Sequence, residues 1–455
     1  MRRWNVRLAV LSLAFCLLLS GCFFRDTDDL YALPQPPKDY EALQVRLSEV
    51  LAQGGEYTAP LSGELIQSVQ LQDLDGDGKQ EAIAFFHFPN DEKPMKIYIF
   101  RQAGEEYELL TVVEGAGTAI NCVEYAQMDD GPFKEIVVSW QMSGQLNSLA
   151  AYSVGPDQVE ELLRTDYSSY QLFDLDQDNQ QELVVLRTSP EGDARAEIYD
   201  YDGVLSVAGN APLSGGITTV SDGGVRSGFL MGRVPAIFVV SSYQENGTIT
   251  DIFTFQNGEL KNITLNSLTG ESGETIRFYT QVTGCDINSD GIMELPRPVP
   301  LSDYKITTAA VNFWLIHWRQ FDADGTAHPV FTTYHNDRDG WYFILPDEWG
   351  DNLTLSRSDL PGGGERAVTF SYWEGDEGTE PRPLLTIYKL TGTNRLQRAQ
   401  MTGRFILFPE DGLKGSSETS TIYAARFEEG WDNSLTEDEV RERFSLIKTD
   451  WSGGT

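Results

Sequence analysis

Asp73-Leu74-Asp75-Gly76-Asp77-Gly78-Lys79-Gln80-Glu81 runs directly into the apolar segment Ala82-Ile83-Ala84-Phe85-Phe86. Carboxylates alternate at the first, third and fifth positions, a glycine stands sixth, and another carboxylate closes the stretch at the ninth. Side chains at this spacing can converge on one point as an oxygen cage. Calcium, a hard cation, takes about six to eight oxygen ligands, so the pattern suits it. The pattern recurs twice. Asp174-Leu175-Asp176-Gln177-Asp178-Asn179-Gln180-Gln181-Glu182 leads into Leu183-Val184-Val185-Leu186, and Asp286-Ile287-Asn288-Ser289-Asp290-Gly291-Ile292-Met293-Glu294 leads into Leu295. Asn179 replaces the glycine in the second copy, and Asn is the next best residue for a left-handed backbone. Asp-Gly turns also close hairpins without metal, but three copies with matching ligand positions favour the cage. An EF-hand would need flanking helices and a glutamate at the twelfth position; here the flanks are β-rich and the acid closes at the ninth.

Glu81, Glu135, Glu182 and Glu294 each stand just before an apolar segment, and Pro235 precedes a fifth, AIFVV. The step between them is roughly 50 residues, a period that with about four short strands per unit signifies propellers or related arrays. Within the first unit the pattern predicts strands at 68–72, 82–87, 96–101 and 107–113. The second unit keeps only Asp129 of its acids, with Gln127 and Gly131 at the other positions. In the fourth, Arg233-Val234 stands where a turn is expected.

These loops resemble the calcium-binding blades of the FG-GAP/VCBS family, found in integrin-type β-propellers, over about residues 60–335. The resemblance implies four-stranded blades around an axis, with calcium clamping the turn between two strands of a blade. It implies three ligand sets: Asp73, Asp75, Asp77 and Glu81; Asp174, Asp176, Asp178 and Glu182; Asp286, Asn288, Asp290 and Glu294. Lys79, Gln180 and Ile292 would add backbone carbonyls at the seventh position. Five legible units are fewer than is usual in that family, and the stretch from Leu301 to Thr333 has room to hide another.

At the N-terminus, Arg2-Arg3 and Arg7 precede an apolar run from Leu8 to Leu19, interrupted only by Ser12. This reads as a secretory signal, too short to span a bilayer stably. It ends in Leu19-Ser20-Gly21-Cys22, which resembles the lipobox of bacterial lipoproteins. That resemblance implies cleavage before Cys22, diacylation of its thiol, and an exported product anchored to the cell membrane and facing outward, or into the periplasm of a two-membrane envelope. An uncleaved helix with an incidental cysteine is the alternative. The net charge of −35 argues against nucleic acid and against electrostatic docking on anionic lipid. Cys122 and Cys285 are too few for a disulfide framework and read as small buried residues.

The expected organisation is mainly β: a signal peptide at 1–21, a proline-rich acidic tether at 22–38, a short helix within 39–56, a β-propeller of about five blades or more at 57–335, and a small α+β domain at 336–455. The last rests on aromatic-rich strands from Gly340 onward and a closing helix. That helix is predicted from a Thr436/Glu439 capping box and from Val440, Phe444 and Ile447 at helical spacing. The opening Trp341–Trp349 resembles the start of the photosystem extrinsic-subunit sandwich fold over that one motif.

Catalytic signatures are sparse. The four histidines form no HExxH or H-x-x-x-H pair, and Gly-x-Ser-x-Gly and P-loop patterns are absent. Ile120 stands where a dinucleotide fingerprint after Gly115 and Gly117 needs its third glycine. His317 lies in an aromatic strand and reads as a packed residue. For Trp341, Trp349, Trp373 and Trp431 core packing is expected for most, with a sugar-stacking platform as the other use. The expected function is a non-catalytic binding or scaffold module for an extracellular protein or glycan. An envelope enzyme acting on polysaccharide or peptide at the propeller mouth is the alternative.

Overall fold

The computed structural model describes residues 40–144, 146–155, 159–188, 194–301, 313–350, 352–360, 363–375, 379–409, 421–429 and 435–447. The signal segment, Cys22, the tether and Trp431 lie outside them. The chain divides into two compact units, one of residues up to 122 with 154–159, the other of 123–153 and 160 onward. No described helix is long and apolar enough to cross a membrane.

In the first unit, helix α1 (Glu41–Ala52) buries Leu43, Leu47 and Val50, spaced four and three apart so that they share one face. That face packs on Ala82, Ala84, Phe86 and Phe100. The sheet is antiparallel: β1 (Glu56–Tyr57) and β2 (Val69–Gln72) both pair with β3 (Glu81–His87), followed by β4 (Met95–Ala103) and β5 (Glu106–Gly115). Strand β3 is buried along its first six residues. Burial on both faces is why it reads as a continuous apolar run and not as an alternation. The predicted strands of this unit all form.

The second unit is a succession of antiparallel sheets. The first contains β6 (Ala119–Ala126), β7 (Glu135–Ser143), β8 (Leu146–Val154) and β9 (Val159–Asp166) in chain order. Next come β10 (Ser169–Phe173), β11 (Glu182–Arg187), β12 (Arg195–Tyr201) and β13 (Leu205–Pro212), then β14 (Ile217–Leu230), β15 (Val234–Tyr243), β16 (Gly247–Gln256) and β17 (Glu259–Asn262), again in chain order. The next sheet joins β18 (Leu295–Pro300), β19 (Trp314–Phe321), β20 (Ala327–Asn336) and β21 (Trp341–Ile344). The last holds β22 (Leu353–Leu360), β23 (Glu365–Tyr372), β24 (Arg382–Leu390), β25 (Arg404–Phe408) and β26 (Ile422–Phe427), with β26 inserted between β24 and β25. Two short helices, α2 (Arg395–Ala399) and α3 (Glu437–Arg443), accompany it.

Sheets follow one another face to face because their second strands are apolar on both sides. Leu183 and Val185 of β11 pack with Val137 and Leu149, whereas Val184 and Leu186 pack with Ile237 and Phe253. On β15, Ile237 and Val239 face back, while Ala236 and Phe238 meet Leu295 and Phe321. The described strands form open sheets and no closed barrel.

Several local expectations change. A tight 3-10 turn at Met231–Arg233 joins β14 to β15, so the fourth unit has a turn where Arg233-Val234 obscured it, with Gly232 and Arg233 both at positive φ. The span from Leu301 to Thr333 supplies β19 and the start of β20 to the sheet opened by β18, whose Pro296, Pro298 and Pro300 are tolerated because β18 is an edge strand. That sheet continues past residue 335 through β21 and is completed by β27 (Phe444–Leu446). The closing helix is real but short. Thr436 and Glu439 form the capping box, yet the helix ends at Arg443 and Phe444 lies in β27, against Trp341 and Tyr423. A seven-residue helix has little cooperativity of its own, so strand pairing with Trp341–Phe343 wins over continuation.

Fully buried Asp251 on β16 accepts from Ser214 N (2.9 Å), Ser214 Oγ (2.7 Å), Ser272 Oγ (2.6 Å) and Asn262 Nδ2 (2.8 Å). Asp251→Ala is expected to cost roughly 3 kcal/mol by stranding these donors. An unmoved urea midpoint in the variant would show that they find other partners.

Candidate metal centre

Each acidic loop spans a β-hairpin. The residue before the first ligand pairs with the closing glutamate: Gln72 with Glu81, Phe173 with Glu182, Cys285 with Glu294. The apolar second residue (Leu74, Leu175, Ile287) is buried and plugs the loop into the core. Its backbone N–H donates to the closing glutamate at 2.9, 2.6 and 3.0 Å respectively. Those glutamates are themselves almost wholly buried.

Two left-handed residues fold each loop back on itself. The sixth position does so as expected (Gly78, Asn179, Gly291), and the fourth does so as well (Gly76, Gln177, Ser289). This aims backbone N–H groups at the acids. The sixth-position N–H donates to Asp73 Oδ2 (3.1 Å), Asp174 Oδ2 (3.1 Å) or Asp286 Oδ2 (2.9 Å). Lys79, Gln180 and Ile292 donate their N–H to Asp77, Asp178 and Asp290, each at 2.7 Å.

The carboxylates converge. One oxygen from each of Asp174, Asp176, Asp178 and Glu182 lies within 4.8 Å of the others; Asp73, Asp75 and Glu81 do the same, as do Asp286, Asp290 and Glu294. Oxygens bound to one calcium at about 2.3–2.6 Å can be no more than about 5 Å apart. Asp77 falls outside the first group, with its Oδ2 3.9 Å from Lys79 Nζ. Asn288 adds an amide oxygen by sequence position, although that oxygen accepts the Asp290 N–H at 3.1 Å.

Unsatisfied buried oxygens test whether a cation fits. Asp73 Oδ1, Asp174 Oδ1 and Glu182 Oε1 are buried without a hydrogen-bond partner. Buried polar atoms are normally paired, and an all-oxygen set with orphaned anionic atoms fits a hard divalent cation. The third loop differs. Gln320 donates its amide to both Asp290 Oδ2 (2.8 Å) and Glu294 Oε1 (2.6 Å), and the Arg233 guanidinium lies over Gly291. In the second repeat Gln127 donates to the carbonyls of Asp129 (2.8 Å) and Gly131 (2.9 Å), bridging that loop with an amide while Glu135 Oε1 is likewise buried without a hydrogen-bond partner.

Burial shifts all four closing glutamates in the same direction. Burial, reinforced by Asp176, Asp200 and Asp174, pushes Glu182 up to about 8, against the opposing Leu175 N–H. Burial above all raises Glu294 to about 7 and Glu135 to about 7, and raises Glu81 as well. Asp200, Gln320 and Arg233 could not be placed at these loops from sequence. Each is remote in the chain and is brought there by strand pairing or by the neighbouring sheet. Cys122 and Cys285 are not joined in a disulfide, and both are half-buried.

No protein-family profile matches the chain, and no curated protein matches it.

For Glu182 the folded, metal-free chain holds a proton more tightly than the unfolded chain. Its contribution is therefore full below about pH 4.5 and lost as pH rises toward about 8. Melting temperatures recorded in chelator from pH 5 to pH 8 should fall more steeply for the parent than for Glu182→Gln. Identical slopes would exclude this group as the cause. Calorimetric titration should rank the second loop tightest and the third weakest, and Gln320→Ala should strengthen the third by uncovering Glu294. A weaker third site in that variant would mean that Gln320 supports the loop.

Proposed function

We propose that this chain is a calcium-clamped repeat protein of the β-propeller type, exported and lipid-anchored through Cys22, that serves as a non-catalytic binding or scaffold module for an extracellular protein or glycan. The observation that carries the reading is the repeated oxygen cage. Three hairpin turns use the same buried glutamate and the same backbone fold, and two of them hold orphaned carboxylate oxygens. Successive, mostly four-stranded antiparallel sheets stacked face to face support a propeller arrangement. The last sheet with α2 and α3 supports an α+β portion that shares one core with the preceding sheet through Tyr334, Trp341, Phe343 and Phe370.

The metal's role in this reading is structural. The first two cages sit between two strands of one sheet and the third is closed by the isolated Cys285–Glu294 bridge ahead of β18, and a cation in such a cage offsets the repulsion among its acids. Extracellular modules use calcium sites of roughly 10⁻⁴–10⁻³ M affinity, and bound metal stabilises the native state by mass action. Lys79, Gln180 and Ile292 carbonyls are proposed to complete the shells.

Melting residues 39–455 in excess chelator and then in millimolar calcium tests the reading. A rise of several degrees with calcium is expected, with much of it lost in Asp75→Ala and Asp176→Ala. A melting curve indifferent to calcium would leave the loops as ordinary hairpin turns and remove the main support for the proposal.

A further inference from the structure

Away from the acidic loops, the second unit contains a cavity of about 1030 Å³. One wall is the β18–β19–β20 sheet; the other is made by residues around the ends of β22 and β23. Strand register places its cations. Arg297 pairs with His317, and Leu295 with Arg319, so Arg297, His317 and Arg319 stand together on one sheet face. All three line the cavity.

The two arginines are incompletely neutralised. Arg319 is only 7 % exposed. Its Nη1 meets Glu274 Oε2 at 3.0 Å and its Nη2 meets the Glu274 carbonyl, while its Nε is buried without a partner. Arg297 is exposed and has no ion-pair partner among the described residues. In a chain with 69 acids and 34 lysines and arginines, adjacent guanidiniums without full carboxylate neutralisation form an unusual local field. Burial above all pushes Arg319 below the ordinary arginine range, with the Glu274 hydrogen bond opposing it and the charge of Arg297 adding to it.

The remaining lining is mixed. Trp373 is half-buried, exposed Glu374 beside it adds a carboxylate that accepts from the Tyr372 hydroxyl, Asn352 and Thr326 contribute an amide and a hydroxyl, and Val299 and Leu353 are apolar. An indole face suits the C–H face of a sugar ring, and amide and hydroxyl groups suit its hydroxyls. The volume is at the upper end of that found for small-ligand sites, about 300–1,000 Å³.

We propose that this cavity binds an acidic saccharide, with its carboxylate or sulfate held by Arg297 and Arg319 and a sugar ring against Trp373. Guanidinium forks match both anions in geometry. The inference names a glycan class for the binding-module reading and rests on that reading for the ligand's setting, but the cavity's residues are distinct from the calcium loops.

The test is calorimetric titration of residues 39–455, with calcium held constant, using three probes: the unsulfated chondroitin disaccharide, its sulfated form and neutral lactose. Saturable binding of at least one acidic disaccharide, weakened by salt and absent for lactose, is expected. Which acidic arm binds tells carboxylate from sulfate. Arg297→Gln, at an exposed position, should keep the parent melting temperature and lose about tenfold in affinity, and Trp373→Leu should weaken binding as well. Failure of both acidic disaccharides to bind, equal binding of lactose, or parental affinity in Arg297→Gln would overturn the proposal. Asp75→Ala should bind as the parent does, so loss of the calcium response and loss of the saccharide site register separately.

Discussion

A carboxylate buried at the mouth of a β-hairpin is the constraint from which the repeated turns follow. Removing an anion from water is costly unless charge and hydrogen bonds replace hydration. Glu81, Glu182 and Glu294 each receive one N–H from the apolar residue that anchors the loop. One hydrogen bond is not enough for a buried carboxylate, so every loop finds a further device. The first two present converging acids with orphaned oxygens, the chemistry of a cation site. The third recruits Gln320 from the next strand. The second unit, without its acids, supplies Met128 and Asp129 N–H groups to Glu135 and closes the loop with Gln127. These are three solutions to one desolvation problem across four loops, ordered by how much negative charge the loop retains.

The second strands of the sheets make those sheets interdependent. β11 and β15 are apolar on both faces, so neither can be stable in an isolated sheet. Each buries one row of side chains against the sheet before it and the other row against the sheet after it. Stability in such arrays is a sum of repeat and nearest-neighbour terms. A cation held at the Asp174–Glu182 turn would thus act on a strand that two interfaces share.

Charge is distributed unevenly around this framework. The surface is strongly acidic, and the carboxylates with the clearest pattern face inward on the loops. Cations are fewer and mostly paired, as with Arg366 and Lys389 around Asp339, or Arg404 on Glu365. Against that background, Arg297 beside Arg319 stands out as positive charge that the protein itself does not fully neutralise.

The sequence by itself determined the elements with a strong local signature. The nine-residue loops, the order of their acids, the strands after each glutamate, α1 and the Thr436 cap were all legible, because each depends on residues within a few positions of one another. Left-handed backbone at Gln177 and Ser289 was hidden, since neither residue type announces it and the loop's closure imposes it. Spacing alone put Phe444 in the closing helix, and pairing with β21 placed it in a strand instead. Only the tertiary structure brought Gln320 to Glu294, Asp200 to Asp176, and Arg297 across from His317. Those meetings join residues far apart in the chain, through strand register and sheet stacking, and no local pattern encodes which distant side chains will share a buried, poorly hydrated space.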